Sequence, residues 1–582
     1  MKTLIVFMGS LWSRILPTES VKYEKIHKNP ACTCACGIFF VTLPPLISMR
    51  KITPNNQPSP YGPPYGPSVG MPMDPMMPPP SRKRSWKDVI LRNFGGGMHT
   101  TLQKGERTIP QWLVWRPILF FFISFAACRL AFGNPMPTTY AIVACVSVVL
   151  CFYGIYEAAR KWQKRNESTF LHNIFLVGLI IRLIWVLYLY FSFNPEVYGN
   201  RFGDDADTGW YMDFGHGIAG WIRNGMPIPF SQLSAQYASA IDDIGYPIVL
   251  AIEYVLTFDV SDVIVPFVIK SIMGAYCAIC MYRISKRHFS EGVARLAAVF
   301  VAFNPNMIYW CGTMMKEPEM VFLCCLFLDK VDYTLSASKK LGFKELIPGV
   351  LIGLFFFSIR TALGLIAFLA IFGHIVFVSH RVMSTGKKVL AGLMVAIALL
   401  IGVGERLQVQ SQELFSTVQS GSQKVNMEWR AERKGGNSFA KYAGAAVFAP
   451  LIFTIPFPTF NMAVEDQITQ MLLCGGSYIR NVLSFFVIVV MLLMLASGEW
   501  RKHVFILAYT IGYLVILVFS GYAQSGRFHM PIWPVILLFA ACGIQIAKSN
   551  KRLQRGFNIV LLLEVFVSLA WNWFKLAGRG MI

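Results

Sequence analysis

Three aspartates within four residues, Asp204, Asp205 and Asp207, have the residue type and spacing in this sequence that best suit chemistry. Only 31 of the 582 residues are Asp or Glu, so the cluster does not follow from an acidic composition. Adjacent carboxylates repel one another unless a proton, a cation or a metal compensates their charge. A carboxylate held in this way can accept the proton of an attacking hydroxyl group, which is general-base chemistry. The plainer alternative is a solvated loop that is merely acidic.

An aromatic and an imidazole side chain follow the aspartates in the same polar stretch. Tyr211 lies four residues after Asp207, and His216 lies nine residues after it. Both side chains carry groups that could hydrogen-bond a substrate. Carboxylate oxygens also suit hard divalent cations, so the sequence leaves open whether a metal is bound at the aspartates.

Basic residues that could bind the phosphate of a lipid leaving group occur later in the chain, each beside an apolar run. Lys316 and Glu317 precede one run, Arg360 interrupts a pair of runs, and Arg527 and His529 precede another. An ionisable residue at membrane depth is costly and is a functional candidate by default, and Arg can bind a phosphate with two parallel hydrogen bonds. Each residue alone could instead be a snorkelling or positioning side chain.

The elements that must position these residues are membrane helices. Hydrophobic residues make up 55% of the chain and charged residues 14%, whereas a soluble protein has about 25% charged residues. The excess of apolar residues fits many spans of about 20 residues each. The net charge of +22 lies in short Lys and Arg clusters between apolar runs, which is typical of cytoplasmic loops and argues against nucleic-acid binding. The sequence therefore predicts an all-α, polytopic helical membrane protein.

The apolar runs predict about twelve transmembrane helices. Two further runs, 246–258 and 443–462, contain or adjoin prolines, and we expect re-entrant or interfacial helices there. With the N-terminus inside, the basic clusters then all lie in the cytoplasm. Loops 195–262 and 405–477 fall on the outer side, together with Arg360 and the other candidate residues. Because all these candidate residues fall on the same side of the membrane, the case for a single site is stronger.

The first part of the chain has a different composition. Residues 53–80 are rich in Pro, Gly, Met and Asn, a composition that cannot bury a core. We therefore expect residues 1–111 to be a cytoplasmic, largely disordered Pro/Gly-rich tail, and residues 112–582 to be the transmembrane domain.

Several motifs resemble those of the GT-C superfamily of polyprenyl-phosphate-sugar-dependent glycosyltransferases, in particular bacterial proteins related to dolichyl-phosphate-mannose protein mannosyltransferases. In that family an acidic motif follows an early span in the first outer loop, where this chain has Gly203-Asp-Asp-Ala-Asp-Thr-Gly-Trp-Tyr211. A Tyr-Pro segment corresponds to 245–251, a basic turn to 283–289 and a Gly-x-x-x-x-Glu ending to 312–317. The late segment 527–534 resembles the family's Arg-Tyr-Arg-x-Pro sequence.

The resemblance implies a GT-C-like transmembrane domain in a bacterial inner membrane that transfers a sugar, with inversion, from a polyprenyl-phosphate donor to an acceptor on the periplasmic face. The acceptor would be a lipid-linked glycan, a lipid or a protein. One aspartate would be the catalytic base, with Asp205 and Asp207 ahead of Asp204. The residues expected to bind the donor phosphate or the substrate are Arg360, Lys316, Glu317, Arg527, His529, Tyr211 and His216.

Two other classes of membrane protein remain as alternatives. An O-antigen polymerase or ligase would use basic outer loops, for which 406–433 is a candidate, but it would not need the aspartates. A transporter would show an internal repeat and carboxylates in mid-span, whereas the acidic residues here concentrate in loops.

Overall fold

The computed structural model describes residues 85–94, 109–197, 199, 202–203, 205–229, 243–258, 263–336, 343–378, 427–428, 430–432, 435–442, 444–464, 468–520 and 522–582. Of the structure it describes, 84% is helical, and no strand occurs there. The all-α prediction is thus confirmed for this part of the chain. The predicted tail up to residue 84, the predicted span at 388–404 and the outer stretch 405–426 lie outside the described residues.

Fifteen helices of eight or more residues carry the fold in the described part of the chain. They are α1 (Trp86–Phe94), α2 (Gln111–Ala131), α3 (Thr138–Trp162), α4 (Glu167–Glu196), α5 (Asp205–Arg223), α6 (Gly245–Thr257), α7 (Ile264–His288), α8 (Glu291–Phe303), α9 (Glu317–Ser336), α10 (Phe343–Ile359), α11 (Thr361–Val378), α12 (Cys474–Ser497), α13 (Val504–Phe519), α14 (Trp533–Ser549) and α15 (Lys551–Ala577).

Eight helices of the described part are long and apolar enough to cross a membrane, as expected of a membrane protein. They are α2, α3, α4, α7, α12, α15, and α13 and α14 with the 3₁₀ turns that precede them. Helices α6, α10 and α11 are apolar but shorter. Eight such helices support a membrane-spanning chain, but they do not confirm the predicted count of about twelve.

One predicted span, 293–311, is broken in the structure. Helix α8 ends at Phe303, and a short helix, Pro305–Tyr309, follows it. Between them Asn304 is extended, with φ −68° and ψ 123°, because a residue before proline is disfavoured in the helical region. The Asn304 side chain accepts hydrogen bonds from the backbone N–H groups of Asn306 and Met307, which caps the new helix.

Helix α14 is the centre of the bundle. Its apolar segment is buried in protein along its whole length, and the helix packs against α12 and α8. Helix α7 packs against α8 and also contacts α4 and α9. By contrast, most of the apolar segment of α3 and most of that of α4 are not buried in protein, as expected for helices that face lipid.

The two stretches predicted as outer loops contain helical structure. Within 195–262, α5 and α6 pack against each other as a pair, so this stretch is not an irregular loop. Helix α6 has 13 residues and is about 20 Å long, which is too short to cross a bilayer core of about 30 Å. Within 443–462 the only helix in the described residues is Ala445–Leu451, and a turn and irregular chain follow it.

Candidate functional site

Helix α5 begins within the aspartate cluster, and a tight turn before it sets its position. Phe202 and Gly203 have φ angles of +56° and +149°, and the Phe202 carbonyl accepts a hydrogen bond of 2.8 Å from the backbone N–H of Met314. This bond joins the start of α5 to the segment that carries Lys316 and Glu317. Residues distant in sequence are thereby brought to one place.

The side chains of Asp207, Arg527 and Glu317 form a continuous ion-paired chain. One terminal nitrogen of Arg527 donates to Asp207 Oδ2 at 2.6 Å, and its Nε donates to Glu317 Oε1 at 2.5 Å. Glu317 is fully buried, Arg527 is 15% exposed and Asp207 is 44% exposed. The chain therefore runs from the protein interior to an accessible carboxylate.

Arg360 is the second guanidinium of the site. It lies between α10 and α11, and its NH2 nitrogen is 3.9 Å from Glu317 Oε1. Its NH1 nitrogen donates to the Tyr513 hydroxyl at 3.0 Å, and its guanidinium lies 4.6 Å from the centre of the Phe528 ring. Arg360 is thus held on three sides and is 12% exposed.

Lys316 completes a second ion pair beside the first. Its ammonium contacts Asp243 and donates to the Ile359 carbonyl at 3.1 Å. The Tyr211 hydroxyl donates to the other oxygen of Asp243 at 3.3 Å. Asp243 is 38% exposed, so this pair also ends at an accessible carboxylate.

Electrostatic effects at these residues follow from burial and from the opposing charges. Burial by itself would raise the pKa of Glu317, but Arg527, Arg360 and Lys316 outweigh it and lower that pKa. Burial lowers the pKa of Lys316, Arg360 adds to the effect, and Asp243 opposes it. Glu317 is accordingly a stable anion that holds two guanidiniums together.

The site pairs three cations with three carboxylates, and its two ends differ. Arg527, Arg360 and Lys316 face Glu317 and the half-exposed carboxylates of Asp207 and Asp243. In the described part of the chain Arg527 and Lys316 each already pair with one of these carboxylates, so an incoming anion would compete with it. Such a site can exchange one anion for another without leaving a buried charge unpaired.

The two histidines of the predicted site lie apart from this ion-paired cluster. His529 is fully buried, with Nδ1 2.7 Å from Arg480 and Nε2 2.6 Å from the Ala523 carbonyl. The His216 ring stacks on Tyr254 at 4.2 Å between ring centres. In α5 His216 is nine residues after Asp207, which places the two on opposite faces of the helix, about 180° apart.

Two of the predicted aspartates cannot be placed relative to the cluster. Asp204 lies outside the described residues, and of Asp205 only the backbone, as the first residue of α5, is described. Asp207 is therefore the aspartate of the motif whose contacts are defined. No group of three or more His, Cys, Asp or Glu suited to a metal ion occurs among the described residues.

Sequence reasoning missed two residues that complete the cluster. Asp243 is 36 positions after Asp207 in a polar stretch, and nothing in its neighbourhood marks it. Tyr513 lies within the apolar run of α13, where an aromatic residue is expected for packing alone. The one available signal was its hydroxyl, since a buried tyrosine usually has a polar partner.

Comparison of the chain with family models, with curated proteins and with solved structures gave no match.

Proposed function

We propose that this protein is a membrane glycosyltransferase that moves a sugar from a polyprenyl-phosphate donor to an acceptor hydroxyl on the periplasmic face of a bacterial inner membrane. The observation that carries the proposal is the ion-paired chain Asp207–Arg527–Glu317 with Arg360 beside it. It joins an accessible proton acceptor to a pair of guanidiniums suited to phosphate. The resemblance of the sequence motifs to the GT-C superfamily supports the same reaction.

In this reaction Asp207 takes the proton of the acceptor hydroxyl while the acceptor oxygen attacks the anomeric carbon of the sugar. The bond between that carbon and the phosphate oxygen breaks, and the phosphate leaves with the electron pair. Attack from the face opposite the leaving group inverts the configuration at the anomeric carbon. Arg527 and Arg360 stabilise the charge that develops on the phosphate.

The ion pair between Asp207 and Arg527 gives donor binding a second role. While Asp207 Oδ2 accepts the hydrogen bond of 2.6 Å from Arg527, that oxygen is occupied and does not face an acceptor hydroxyl. A donor phosphate that takes the place of Asp207 on Arg527 would free the carboxylate to accept the proton of the acceptor hydroxyl. Glu317 would keep Arg527 in place during this exchange, since it bonds a different nitrogen of the guanidinium.

Lys316 and Asp243 lie beside these groups and suit the acceptor or the sugar. Lys316 is nearly buried, whereas Asp243 is 38% exposed. Tyr211 places a hydroxyl on the same carboxylate. Sugars and polyols are bound by carboxylates and hydroxyls of this kind, so this half of the cluster supports recognition of a lipid-linked glycan, a lipid or a protein acceptor.

Replacement of the proposed base gives the direct test. In Asp207→Asn, we expect sugar transfer to fall by at least about 100-fold, the usual contribution of a general base. Transfer would be measured in membranes with a panel of polyprenyl-phosphate sugars labelled in the sugar. Asp213→Asn is the matched control, because Asp213 lies on the same helix but is exposed on another face. It should keep the activity of the parent.

Three results would reject the proposal. Equal transfer by Asp207→Asn and Asp213→Asn would exclude Asp207 as the base. A parent protein that consumes no donor of the panel while moving a solute across the membrane would be a transporter. A parent that uses only polyprenyl-diphosphate glycans, unaffected by Asp207→Asn, would be a polymerase or ligase.

A further inference from the structure

A second group of buried charges lies behind the ion-paired cluster. Glu253 on α6 and Glu319 on α9 are 7% and 3% exposed, and Lys270 on α7, which bonds the segment that precedes Lys316, is fully buried. Lys270 Nζ is 3.5 Å from Glu319 Oε1. Two carboxylates and one ammonium thus share a region that is closed to solvent.

The carboxylates of this group lack the hydrogen bonds that buried charges require. Glu253 Oε2 and both oxygens of Glu319 are buried without a hydrogen-bond partner. Lys270 instead donates to the Tyr246 hydroxyl at 2.7 Å and to the carbonyls of Thr313 and Met315 at 2.8 and 2.7 Å. Its three protons are therefore fully used by groups other than Glu253 and Glu319.

The charges of the group do not balance if both carboxylates are ionised. A buried charge without a counter-charge or hydrogen bonds is strongly destabilising. We propose that Glu253 and Glu319 hold one proton between them at neutral pH, so that this pair is a buried proton-binding site behind the ion-paired cluster. With the proton bound, one negative charge remains opposite Lys270, and the protonated carboxyl can donate to an oxygen that otherwise has no partner.

The surroundings favour a proton over a metal cation. Lys270 already places one positive charge 3.5 Å from Glu319, and a second cation there would be repelled. The described residues contain no set of three or more ligand side chains that suits a metal ion. A proton needs neither additional ligands nor space.

Other ionisable groups lie on the elements packed around α6. From α5, His216 stacks on Tyr254, and Arg223 donates to the Tyr254 carbonyl at 2.7 Å. Tyr246 lies next to Lys270 on one side and contacts Tyr211 edge to face at 4.9 Å on the other. From α10, residues 346–359 include no ionisable side chain. Among the described residues of α6, α7 and α9, Lys270 is thus the cation closest to the pair.

The proton has a route to influence the ion-paired cluster. Lys270 holds the carbonyls of Thr313 and Met315, and the next residues are Lys316 and Glu317. Loss of the proton would give the pair a second negative charge and draw Lys270 toward it. The backbone that presents Lys316 and Glu317 would then lose two hydrogen bonds.

The pKa of Glu253 agrees with this arrangement. Burial and the neighbouring Glu319 raise the pKa of Glu253 to about 8, and Lys270 opposes them. A carboxyl whose pKa is raised on folding binds its proton more tightly in the folded protein than in the unfolded chain. Its contribution therefore makes the protein less stable as the pH rises from about 4.3 to about 8, and adds no further change above that.

Infrared difference spectra of the purified full-length protein in detergent test the proposal. Between about pH 6 and about pH 10, we expect the parent to lose the C=O band of a protonated carboxyl, with a midpoint near the value of about 8 for Glu253. Glu253→Gln should lose this signal, and the melting temperature of that variant should depend less on pH over about 4.3 to 8. Glu196→Gln is the matched control, because it is the same substitution at an exposed glutamate.

The outcomes separate this proposal from the proposed sugar transfer, since neither readout requires activity. Absence of the band loss in the parent would overturn the proton site, and so would its full retention in both Glu253→Gln and Glu319→Gln. Spectra would also be compared in sodium chloride and in N-methylglucamine chloride. An unchanged midpoint supports a site that binds a proton alone. A midpoint lowered by sodium would show that the site binds a metal cation, and would overturn the proposal.

Discussion

At the scale of single residues, Tyr513 shows how the position of a charged group is fixed from the protein interior. Its hydroxyl accepts a hydrogen bond from Arg360 at 3.0 Å and donates one to the Phe528 carbonyl at 3.0 Å. Phe528 in turn lies under the Arg360 guanidinium. One hydroxyl therefore links the guanidinium to the backbone next to Arg527, and Tyr513 acts as a positioning residue for both.

Removing the hydroxyl should loosen Arg360 without changing the charge of the site. In Tyr513→Phe, we expect the interaction free energy that holds Arg360 in place to fall by about 1.5 to 3 kcal/mol, the value for a hydrogen bond to a charged group. If this interaction stabilises the transition state, the rate of sugar transfer falls by about tenfold or more. The change is mainly in kcat, because Arg360 remains present.

Tyr509→Phe is the control, since Tyr509 lies one turn earlier on α13 and is likewise buried, whereas Arg360 donates to the Tyr513 hydroxyl. Both variants would be assayed for transfer and for thermal melting. Equal behaviour of the two would show that the Tyr513 hydroxyl does not position Arg360.

The same residues show what the sequence could predict and where it stopped. The topology placed Asp207, Lys316, Glu317, Arg360 and Arg527 on one side, and the structure brings their side chains together. Topology gives the depth of a residue but not the direction of its side chain. His529 is two residues from Arg527 in a 3₁₀ helix, where each residue turns the chain by about 120°, so the two side chains point in different directions.

At the scale of elements, α5 is the helix that sequence propensity predicts least well. Its 19 residues include four glycines, each of which costs about 1 kcal/mol in a helix relative to alanine. The polar start and the glycines are typical of a loop, which is what the sequence led us to expect. Packing against α6 outweighs this propensity, and contacts of that kind cannot be derived from local sequence.

Helix α14 shows the opposite case, in which one glycine is required by packing. A Cβ atom at Gly543 would lie 2.5 Å from the Phe486 carbonyl oxygen and 2.8 Å from its Cβ, because α12 and α14 cross there at close range. Small residues at such crossings let helices approach closely in membranes. In Gly543→Ala, we expect the free energy of unfolding to fall by about 1 to 3 kcal/mol because of overpacking.

The control for Gly543→Ala is the same change at an uncrowded glycine. A Cβ at Gly373 in α11 would have no atom within 4 Å. We therefore expect Gly373→Ala to raise the free energy of unfolding by about 1 kcal/mol, because alanine has the higher helix propensity. Thermal melting of the two variants in one detergent compares them. A melting temperature for Gly543→Ala equal to or above that of Gly373→Ala would contradict the close crossing.

At the scale of the whole molecule, α7 and α9 each connect two groups of charged residues. At one end lie Lys270 and Glu317, and at the other Arg287 of α7 bonds Asp329 and Asp332 of α9 at 2.8 and 2.6 Å. His288 joins the second group, with Nε2 2.6 Å from Asp332.

The spacing of the two groups matches a bilayer. Seventeen residues separate Lys270 from Arg287, and fifteen separate Glu317 from Asp332, which correspond to about 25 Å and about 22 Å of helix. The hydrocarbon core is about 30 Å thick. We therefore expect the two charged groups to lie toward opposite surfaces of the membrane, and the basic residues Lys286, Arg287 and His288 favour the cytoplasm for the second group.

This arrangement predicts that single cysteines beside the two groups are labelled from opposite sides of the membrane. Asp213 and Arg501 are exposed, and Arg501 belongs to the turn that carries His503, the partner of His288. Asp213→Cys should react with a membrane-impermeant maleimide added to spheroplasts, and Arg501→Cys only after the cells are opened. The background would carry Ser at Cys32, Cys34 and Cys36, since the cysteines of the described residues are buried or half-buried. Reaction of both positions from the same side would exclude the proposed topology, and with it a periplasmic site, because α7 could not then carry Lys270 and Arg287 to opposite surfaces.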